Sequence, residues 1–442
     1  MNCLAPFARP LYVMAKPAGS LCNLHCEYCY YLEKKHLCQQ PDSAGSRSSV
    51  PSAPLMDERT LEEFTCQYLQ AQTQPQVLFT WHGGEPLMRP LSFYRRALAL
   101  QQRYAHGRII DNCLQTNGTL LTDEWCRFFR ENNFLIGISI DGPRQFHDHY
   151  RRAQGGQPSF DKVIRGIRLL QKHGVEWNAM GVVNNCNADH PLDVYHFYKD
   201  LGCQYIQFAP VVERLLPHPD GRHLASPHEV APLAPFSVRP GQYAHFCCTI
   251  FDEWVRHDVG QVFVQLFDAT LARWAGQQPG VCTMCETCGH AAVIEANGDI
   301  YPCDHFVFPQ YRLGNIHTNT IASLLYSPSQ LHFGQSKRLL PTQCNQCEWL
   351  FACNGGCPKD RFHTQPSPQP PADSLGQRSQ QPPANYLCPD YRQFFAHVAP
   401  YMDFMRHELL HQRPPANVMK AFSSGKSSQV PLSAAAGADN RH

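Results

Sequence analysis

The sequence has no excess of either charge, because 38 Lys and Arg residues stand against 37 Asp and Glu residues, for a formal net charge of +1. That balance argues against a nucleic-acid partner. No uninterrupted apolar stretch is long enough to span a bilayer, and the N-terminus lacks the basic, apolar and cleavage segments of a signal peptide. We therefore expect a cytoplasmic protein that binds neither nucleic acid nor a membrane.

Cysteine, in contrast, is abundant. The chain has 21 cysteines in 442 residues. That length is enough for two domains of ordinary size, and a hydrophobic content of 43% allows a sizeable core. In a reducing compartment, clustered cysteines more often bind metal than form disulfides. Their distribution is uneven: three lie in "AGSLCNLHCEYCYYLEKK", and further close groups fall between Cys282 and Cys388.

Strand and helix patterns alternate through the first half. Strand-like segments such as "QVLFTWHGG", "IIDNCLQTNG" and "FLIGISIDG" are separated by amphipathic segments such as "DERTLEEFTCQYLQAQ". Six such units predict a parallel sheet, and the two more that a complete eightfold barrel needs are not visible. We predict an α/β fold, a partial (β/α)6 TIM-like barrel. Every strand runs into a polar or Gly-rich loop, and in such barrels these loops form the active face.

Composition predicts where the domains divide. Residues 212–241 are rich in Pro and His and are typical of a linker. We therefore predict the barrel over residues 1–235 and a cysteine-rich domain over residues 236–415. Three segments have low-complexity compositions and are predicted to be flexible or disordered: residues 39–54, 365–384 and 416–442.

The N-terminal cysteine loop holds Cys22, Cys26 and Cys29 with C-x3-C-x2-C spacing. Three thiolates suit a [4Fe–4S] cluster in which one iron has no protein ligand. The open iron can bind the amine and carboxylate of S-adenosylmethionine, and an electron from the cluster would then release a 5′-deoxyadenosyl radical. Half of a zinc site is the alternative by spacing alone. The aromatic Tyr28, between the last two cysteines, favours the cluster.

C-x3-C-x-Φ-C, with Φ aromatic, followed two units later by "GGEP", resembles the radical S-adenosylmethionine superfamily. The resemblance implies that Gly83, Gly84 and Glu85 contact the amino group of the cofactor. "GGEP" alone could be a turn before a helix, and Arg151 could be a solvated surface residue. The resemblance also implies cofactor contacts from "QTNG", "SIDG" and "HYRR", namely Asn117, Ser139 and Arg151.

The second half carries eight more cysteines at suggestive spacings. Cys282 and Cys288 are C-x5-C, Cys303 is followed at once by Asp304, "CNQCEWLFACNGGC" holds four, and Cys388 stands alone. Eight thiolates are the number that closes two [4Fe–4S] clusters with four ligands each. Two zinc ribbons remain a competitor by spacing alone.

This region resembles the SPASM domain, and the chain to about residue 415 resembles the anaerobic sulfatase-maturating enzymes through "VMAKPAGSLCNLHCEYCYYLEK", "FTWHGGEP", "NGDIYPCDHFVFPQYRLGNI" and "CNGGCPKDRF". The resemblance implies three [4Fe–4S] clusters. Cys285 does not fit: it could replace a ligand, but it is interpreted as a bystander thiol because the spacing of Cys282 and Cys288 matches the family without it. The implied ligands are Cys282, Cys288, Cys303 and Cys357 for an inner auxiliary cluster, and Cys344, Cys347, Cys353 and Cys388 for an outer one.

Members of that family oxidise a Ser or Cys of an unfolded sulfatase polypeptide, in a C/S-x-P/A-x-R motif, to Cα-formylglycine. The resemblance implies the same activity here, with electrons from a flavodoxin or ferredoxin and the auxiliary clusters as the outlet for the substrate electron. Asp304 is the candidate base, because it follows Cys303 and would lie near the inner cluster. Its alternative role is to accept backbone N–H bonds. Secondary candidates are His82, Tyr30, Tyr31 and Gln207.

Three rival hypotheses stay open. Another SPASM enzyme could modify a ribosomal peptide, although the segment before "YVMAKPAGS" is too short for the leader-binding domain that such enzymes often carry. A zinc-binding module without activity would be separated by its iron content. A degenerate family member would bind sulfatases without modifying them. The sequence does not distinguish a Ser from a Cys target, and a monomer is expected by default.

Overall fold

The computed structural model describes residues 11–32, 34, 55–218, 221–227, 229–362 and 382–422. Strands and helices alternate as the sequence predicts. None of the helices in these ranges is both long and apolar enough to cross a membrane. The strands are β1 (Val13–Ala15), β2 (Gln76–Trp81), β3 (Ile109–Thr116), β4 (Leu135–Ser139), β5 (Trp177–Val183), β6 (Tyr205–Pro210), β7 (Leu215–His218), β8 (Gly221–Leu224), β9 (Phe263–Val264), β10 (Ala292–Ile294), β11 (Asp299–Tyr301) and β12 (Gly314–Asn315). The α-helices are α1 (Glu58–Gln70), α2 (Leu91–Tyr104), α3 (Asp123–Glu131), α4 (Arg144–Tyr150), α5 (Phe160–Lys172), α6 (Pro191–Asp200), α7 (Gln242–His257), α8 (Gln265–Trp274), α9 (Ile321–Leu325), α10 (Pro328–Ser336), α11 (Thr342–Asn345), α12 (Leu350–Cys353), α13 (Cys388–Leu410) and α14 (Asn417–Phe422).

Strands β1 to β6 are neighbours in chain order and are all parallel. The helices between them carry the chain back, so each strand starts at the same edge. This arrangement confirms the predicted partial barrel. Because the strands are parallel, the loops that follow them gather at one edge of the sheet.

The sheet continues beyond these six strands on both sides, which the sequence reasoning did not anticipate. β9 pairs parallel with β6, and β10 pairs parallel with β1. β11 and β12 then add antiparallel strands beside β10, so ten strands form one sheet. The cysteine-rich region is thus hydrogen-bonded directly to the first strand of the barrel. β9 and β10 have only two and three residues, too few for a periodic pattern to reveal them.

One large apolar core extends from the barrel into the region after residue 236. Phe64 and Trp81 belong to it, together with Phe251 of α7 and Met402 of α13, all fully or almost fully buried. The 23-residue helix α13 lies against α7 and α8, and these two helices in turn contact α6 and β6 of the barrel. Shared burial of this kind fixes the orientation of the cysteine-rich region relative to the strand ends.

Two predictions about irregular segments need correction. The predicted linker contains a short antiparallel hairpin of β7 and β8. The tail predicted to be disordered from residue 416 begins with the helix α14, because Val418 is fully buried and the Phe422 ring lies 4.6 Å from the Tyr401 ring. The insertion at 39–54 and the segments 365–381 and 423–442 lie outside the described residues.

Candidate active site

The N-terminal cysteine loop follows β1 and is joined to "GGEP" through the backbone. The amides of Gly84 and Glu85 donate to the carbonyls of Gly19 and Leu21, each at 2.8 Å. A Cβ atom on Gly84 would stand 2.2 Å from the Leu21 carbonyl oxygen, so only glycine allows the two loops to approach this closely. The structure therefore brings together the two motifs that carry the radical S-adenosylmethionine resemblance.

The three thiols of this loop are poor anions as they stand. Burial raises the pKa of Cys22 and of Cys26 to about 12, and burial also raises the pKa of Cys29. Thiols in such a place stay protonated unless a metal shares the negative charge of the thiolate. Three thiols in this setting fit the donor set of an iron–sulfur cluster. Their role as ligands stays a prediction.

Glu85 connects the "GGEP" loop to the end of β3. Its carboxylate accepts from the amides of Leu87 at 2.9 Å and Asn117 at 2.8 Å, and from the Thr116 hydroxyl at 2.7 Å. The side chain is fully buried, and burial raises its pKa to about 7 although these three bonds oppose the rise. The described contacts of Glu85 therefore position two strand ends, and its predicted contact with the cofactor stays a prediction.

Asn117 and Ser139 lie at the ends of neighbouring strands. The Asn117 amide donates to the Asn23 side chain at 2.9 Å and lies 3.8 Å from the Cys22 sulfur. Ser139 accepts from the Gln115 amide at 3.0 Å and is half-buried. Both residues sit at the strand-end face where the sequence predicts cofactor contacts.

Arg151 is buried rather than solvated, so the surface alternative is wrong. Its Nε lies 3.0 Å from the Asp141 carboxylate, and its guanidinium lies 5.4 Å from the centre of the Tyr28 ring. Asp141 also accepts from the Tyr28 hydroxyl and from the Val182 amide. Burial raises the pKa of Cys26, and Arg151 acts to lower it. The arginine therefore holds the cysteine loop against the end of β4.

Asp304 lies opposite the cysteine loop and is held by side chains of the barrel. Lys16, at the end of β1, places its Nζ 2.6 Å from the Asp304 carboxylate, and the Tyr30 hydroxyl donates to that carboxylate. Lys16 is fully buried, whereas the Asp304 side chain keeps 16% of its surface exposed. Burial is the largest single influence and works to raise the pKa of Asp304, but the opposing influences, led by Lys16, together outweigh it, so the pKa lies well below its usual value.

Lys16 also reaches a second candidate of the sequence analysis. Its Nζ lies 3.0 Å from Nδ1 of His82, and since an ammonium group only donates, Nδ1 accepts. Burial lowers the pKa of His82 to about 3, with Lys16 contributing, so the imidazole is neutral. His305 lies with its ring 4.8 Å from the Tyr30 ring, and burial lowers its pKa to about 3 as well.

Two residues of this network were missed by the sequence reasoning. Lys16 joins Asp304 to His82, and the only signal for it was a charged residue directly after the buried strand "VMA". Glu295 accepts both contacts of the Tyr31 hydroxyl, at 2.7 and 2.9 Å, and burial raises its pKa to about 7. Gln207 lies half-buried on β6.

A cavity opens between the barrel and the cysteine-rich region, next to the neighbours of Asp304; its empty volume of ≈ 400 Å³ includes the opening to solvent. Tyr30 and His305 line it, so it reaches the group that donates to the Asp304 carboxylate. It is partly open to solvent, so an extended chain can reach the residues that line it. Its other lining residues are Lys34, Val212, Glu213, Arg214, Leu224, Ala225, Pro227, Phe308 and Lys359.

The eight cysteines of the second half form two groups in space. Burial raises the pKa of Cys303, with Cys282 and Cys288 raising it further. Burial likewise raises the pKa of Cys357, and Cys303 and Cys288 contribute. These four are the residues that the family resemblance assigns to the inner cluster. The structure brings them together, and their ligand role stays a prediction.

The other four cysteines behave in the same way. Burial raises the pKa of Cys353 to about 12, and the neighbouring Cys388, Cys344 and Cys347 raise it further. Cys285 lies near the inner set, because it acts on the pKa of Cys288, and its thiol donates to the Val281 carbonyl at 3.4 Å. No disulfide joins any of the cysteines that the structure describes. Within those same residues, no three His, Cys, Asp or Glu side chains stand close enough to hold one metal ion.

Comparison with known proteins agrees with this geometry. The radical SAM superfamily matches residues 17–198, and the SPASM iron–sulfur cluster-binding domain matches residues 282–348. A serine-type anaerobic sulfatase-maturating enzyme of Bacteroides thetaiotaomicron is 59% identical over 95% of this chain and 97% of its own length. A cysteine-type enzyme of Clostridium perfringens is 30% identical over 88% of this chain and 97% of its own length.

A solved structure, native anSMEcpe with bound AdoMet and the Cp18Cys peptide, superposes with a TM-score of 0.75. It is 29% identical and covers 90% of this chain and 100% of that one. Together with the strand ends, the cysteine loop and the cysteine-rich region, these matches show that the chain belongs to the anaerobic sulfatase-maturating family of radical SAM enzymes.

Proposed function

We propose that this enzyme oxidises one serine of an unfolded sulfatase polypeptide to Cα-formylglycine, with Asp304 as the base. The observation that carries the proposal is the position of the Asp304 carboxylate. It follows a predicted ligand of the inner cluster, is held by Lys16 and Tyr30, and lies beside a cavity that a peptide can enter. The choice of serine rests on the 59% identity to a serine-type enzyme.

The target –CH2OH group must lose a hydrogen atom from Cβ, a proton from oxygen and one electron to become –CHO. When bound, S-adenosylmethionine and the three [4Fe–4S] clusters supply the 5′-deoxyadenosyl radical that takes the hydrogen atom and the acceptor that takes the electron. The residues that would hold them are the three thiols of the N-terminal loop, with Gly83, Gly84, Glu85, Asn117, Ser139 and Arg151, and the two groups of four cysteines.

Asp304 would take the proton from the substrate oxygen. A general base must lie within hydrogen-bond reach of the proton that it removes, and 16% of the Asp304 side chain is exposed although its partner Lys16 is fully buried. Burial alone would raise the pKa of Asp304, and Lys16 keeps the carboxylate ionised. Lys16 thus keeps Asp304 in the deprotonated form that a base needs, and it also lowers the affinity of the carboxylate for the transferred proton.

Tyr30 and His305 would contact the substrate from the cavity wall. Tyr30 donates to Asp304 and packs against the His305 ring, so its hydroxyl connects the cavity wall to the carboxylate. The neutral His305 adds no charge beside the base. The lining residues come from both the barrel and the cysteine-rich region, so a peptide here would contact both.

The test uses anaerobically reconstituted protein, S-adenosylmethionine, a reductant and two short peptides. One peptide carries the sulfatase C-x-P-S-R motif, and the other has Ser in place of its Cys. Mass spectrometry measures the aldehyde, and 5′-deoxyadenosine is measured in the same samples. We expect the aldehyde on the Ser peptide, formed faster than on the Cys peptide.

The outcomes separate the parts of the proposal. Faster reaction of the Cys peptide would contradict the serine assignment alone. 5′-Deoxyadenosine without any aldehyde would mean that the substrate is another peptide. A colourless protein with zinc and no iron would contradict the radical chemistry itself. We further propose a flavodoxin or ferredoxin as the electron donor, a monomeric enzyme and a cytoplasmic location.

A further inference from the structure

Lys337 is a buried cation at the inner group of cysteines. It caps the C-terminal end of α10, its side chain is fully buried, and its Nζ donates to the carbonyls of Cys282 at 2.8 Å and Thr283 at 2.9 Å. The same helix accepts from the Cys288 amide through the Gly334 carbonyl at 3.0 Å. A Cβ on Gly334 would stand 2.9 Å from the Cys288 carbonyl oxygen, so the helix lies directly on the ligand loop.

Arg361 is a second cation in the same place. Its guanidinium donates to the carbonyls of Gly355 at 3.1 Å and Asn354 at 3.3 Å, within the loop that joins Cys353 to Cys357. That loop carries one predicted ligand of each auxiliary cluster. Arg361 also donates to the Lys337 carbonyl at 2.8 Å, so the two cations are tied together by one backbone segment.

Lys337 is fully buried and Arg361 is half-buried, and the described residues place no carboxylate beside either cation. Among the residues that the structure describes, neither lies within ion-pair distance of a carboxylate. An uncompensated charge is costly to bury, so a buried Lys or Arg is normally paired with an anion. The groups that face these two cations are thiols, which become anionic only when they bind metal.

The two cations differ in the thiols that they face. Burial lowers the pKa of Lys337, and the thiols that act to raise it belong to Cys288, Cys357, Cys282 and Cys285. Burial also lowers the pKa of Arg361, but the opposing thiols include Cys344 and Cys353 of the outer group as well as Cys288 and Cys357. Lys337 therefore faces the inner group, whereas Arg361 lies between the two groups.

We propose that Lys337 and Arg361 are the fixed countercharges of the auxiliary clusters, and that Lys337 raises the reduction potential of the inner cluster specifically. This inference rests on the proposed function. A reduced cluster carries one more negative charge than an oxidised one, so a nearby fixed cation stabilises the reduced form. Asp304 takes the proton from the substrate, and the electron that leaves the substrate would thus be drawn to the cluster next to Asp304.

The test measures potentials and does not depend on turnover. In a Cys26→Ala, Cys29→Ala background, which removes the radical cluster, a redox titration followed by electron paramagnetic resonance reports the auxiliary clusters alone. Replacing Cys344 and Cys347 by Ala then assigns the remaining couple to the inner cluster. The variants are Lys337→Gln and Arg361→Gln, which keep hydrogen-bond donors, with Lys337→Arg as the charge-retaining variant. Arg338→Gln is the matched control, because Arg338 is the next residue, is 59% exposed and faces Glu286.

We expect Lys337→Gln to make reduction of the inner cluster about tenfold less favourable, which is a shift of about 59 mV to lower potential for a one-electron couple. Arg361→Gln should lower both couples, while Lys337→Arg and Arg338→Gln should move neither. Unchanged couples in iron-loaded Lys337→Gln and Arg361→Gln would overturn this inference and leave the proposed function intact. If Lys337→Gln fails to load iron, the potentials of Arg361→Gln test the inference: lower potentials of both couples support it, and unchanged potentials overturn it. Zinc in place of iron in the parent protein would contradict the proposed function, and this inference with it.

Discussion

The strand ends of the barrel and the cysteine-rich region compensate buried positive charge in different ways. At the strand ends, Lys16 pairs with Asp304 at 2.6 Å and Arg151 pairs with Asp141 at 3.0 Å. In the cysteine-rich region, Lys337 and Arg361 are held by backbone carbonyls and face thiols. The first arrangement is complete without a cofactor, whereas the second depends on an anion that only a bound cluster supplies. We therefore expect the barrel face to be preorganised and the cysteine-rich region to depend on a bound cluster for its order.

The largest expected effect separates the two regions by their chemistry. Cys26→Ser should abolish 5′-deoxyadenosine formation, because the open-iron cluster loses one of its three ligands. Cys344→Ser, in the outer group, should keep 5′-deoxyadenosine formation and lose the aldehyde. Both products are measured by mass spectrometry, and iron content reports which clusters remain. Loss of 5′-deoxyadenosine in both variants would mean that the two regions are not separable in this way.

A smaller effect is expected where the two regions meet. Asp304→Asn removes the base but keeps the shape of the side chain, so aldehyde formation should fall by roughly 10² to 10⁴-fold. Formation of 5′-deoxyadenosine should persist, which distinguishes loss of a base from loss of the cofactor site. Asp161→Asn is the control, because that carboxylate is an exposed partner of Arg144. Full aldehyde yield from Asp304→Asn would remove Asp304 from the mechanism.

The pH profile tests whether Lys16 controls the base. In the native protein Lys16 holds the pKa of Asp304 well below its usual value, so aldehyde formation should not lose its base on mild acidification. In Lys16→Met, burial loses its strongest opposing influence, so the pKa of Asp304 should rise and protonation should begin at higher pH. We expect an acidic loss of aldehyde formation to appear in the variant, with about a tenfold deficit per pH unit below the new pKa. Lys199→Met, another partly buried lysine paired with an Asp, serves as the control.

A variant profile with the same acidic limit as the native enzyme would show that Lys16 does not set the charge of Asp304. The 5′-deoxyadenosine yield at each pH must be measured beside the aldehyde. It distinguishes titration of the base from acid damage to the clusters.

Whether the sequence predicts a feature of this molecule depends on how far apart in the chain the residues that form the feature lie. The cysteine loop and "GGEP" were recognisable because each motif is local and because Gly84 meets a strict steric demand. Lys16 was missed because its partner Asp304 comes from the other half of the chain, and only the folded sheet, with β10 beside β1, brings the two together. β9 and β10 were missed because so short a strand has no pattern of its own. The grouping of the eight cysteines came from family resemblance, since spacing does not reveal ligands that cross over in sequence.

The smallest expected effect is on the barrel when iron is removed, and it is the sharpest test of the difference between the two regions. Hydrogen exchange of chelated and reconstituted protein should show β2 to β5 equally protected in both states, because their ladders and their buried charges are complete within the protein. Residues 282–288 and 353–361 should lose protection on chelation, because Lys337 and Arg361 then face protonated thiols and keep only carbonyl partners. β1 is the informative border. It pairs with β2 on one side and β10 on the other, so exchange that rises at β10 and stops at β1 would place the boundary between the regions within a single continuous sheet.

Equal loss of protection across all ten strands would instead mean that the shared core makes the chain one cooperative unit, and that the barrel face is no more preorganised than the cysteine-rich region.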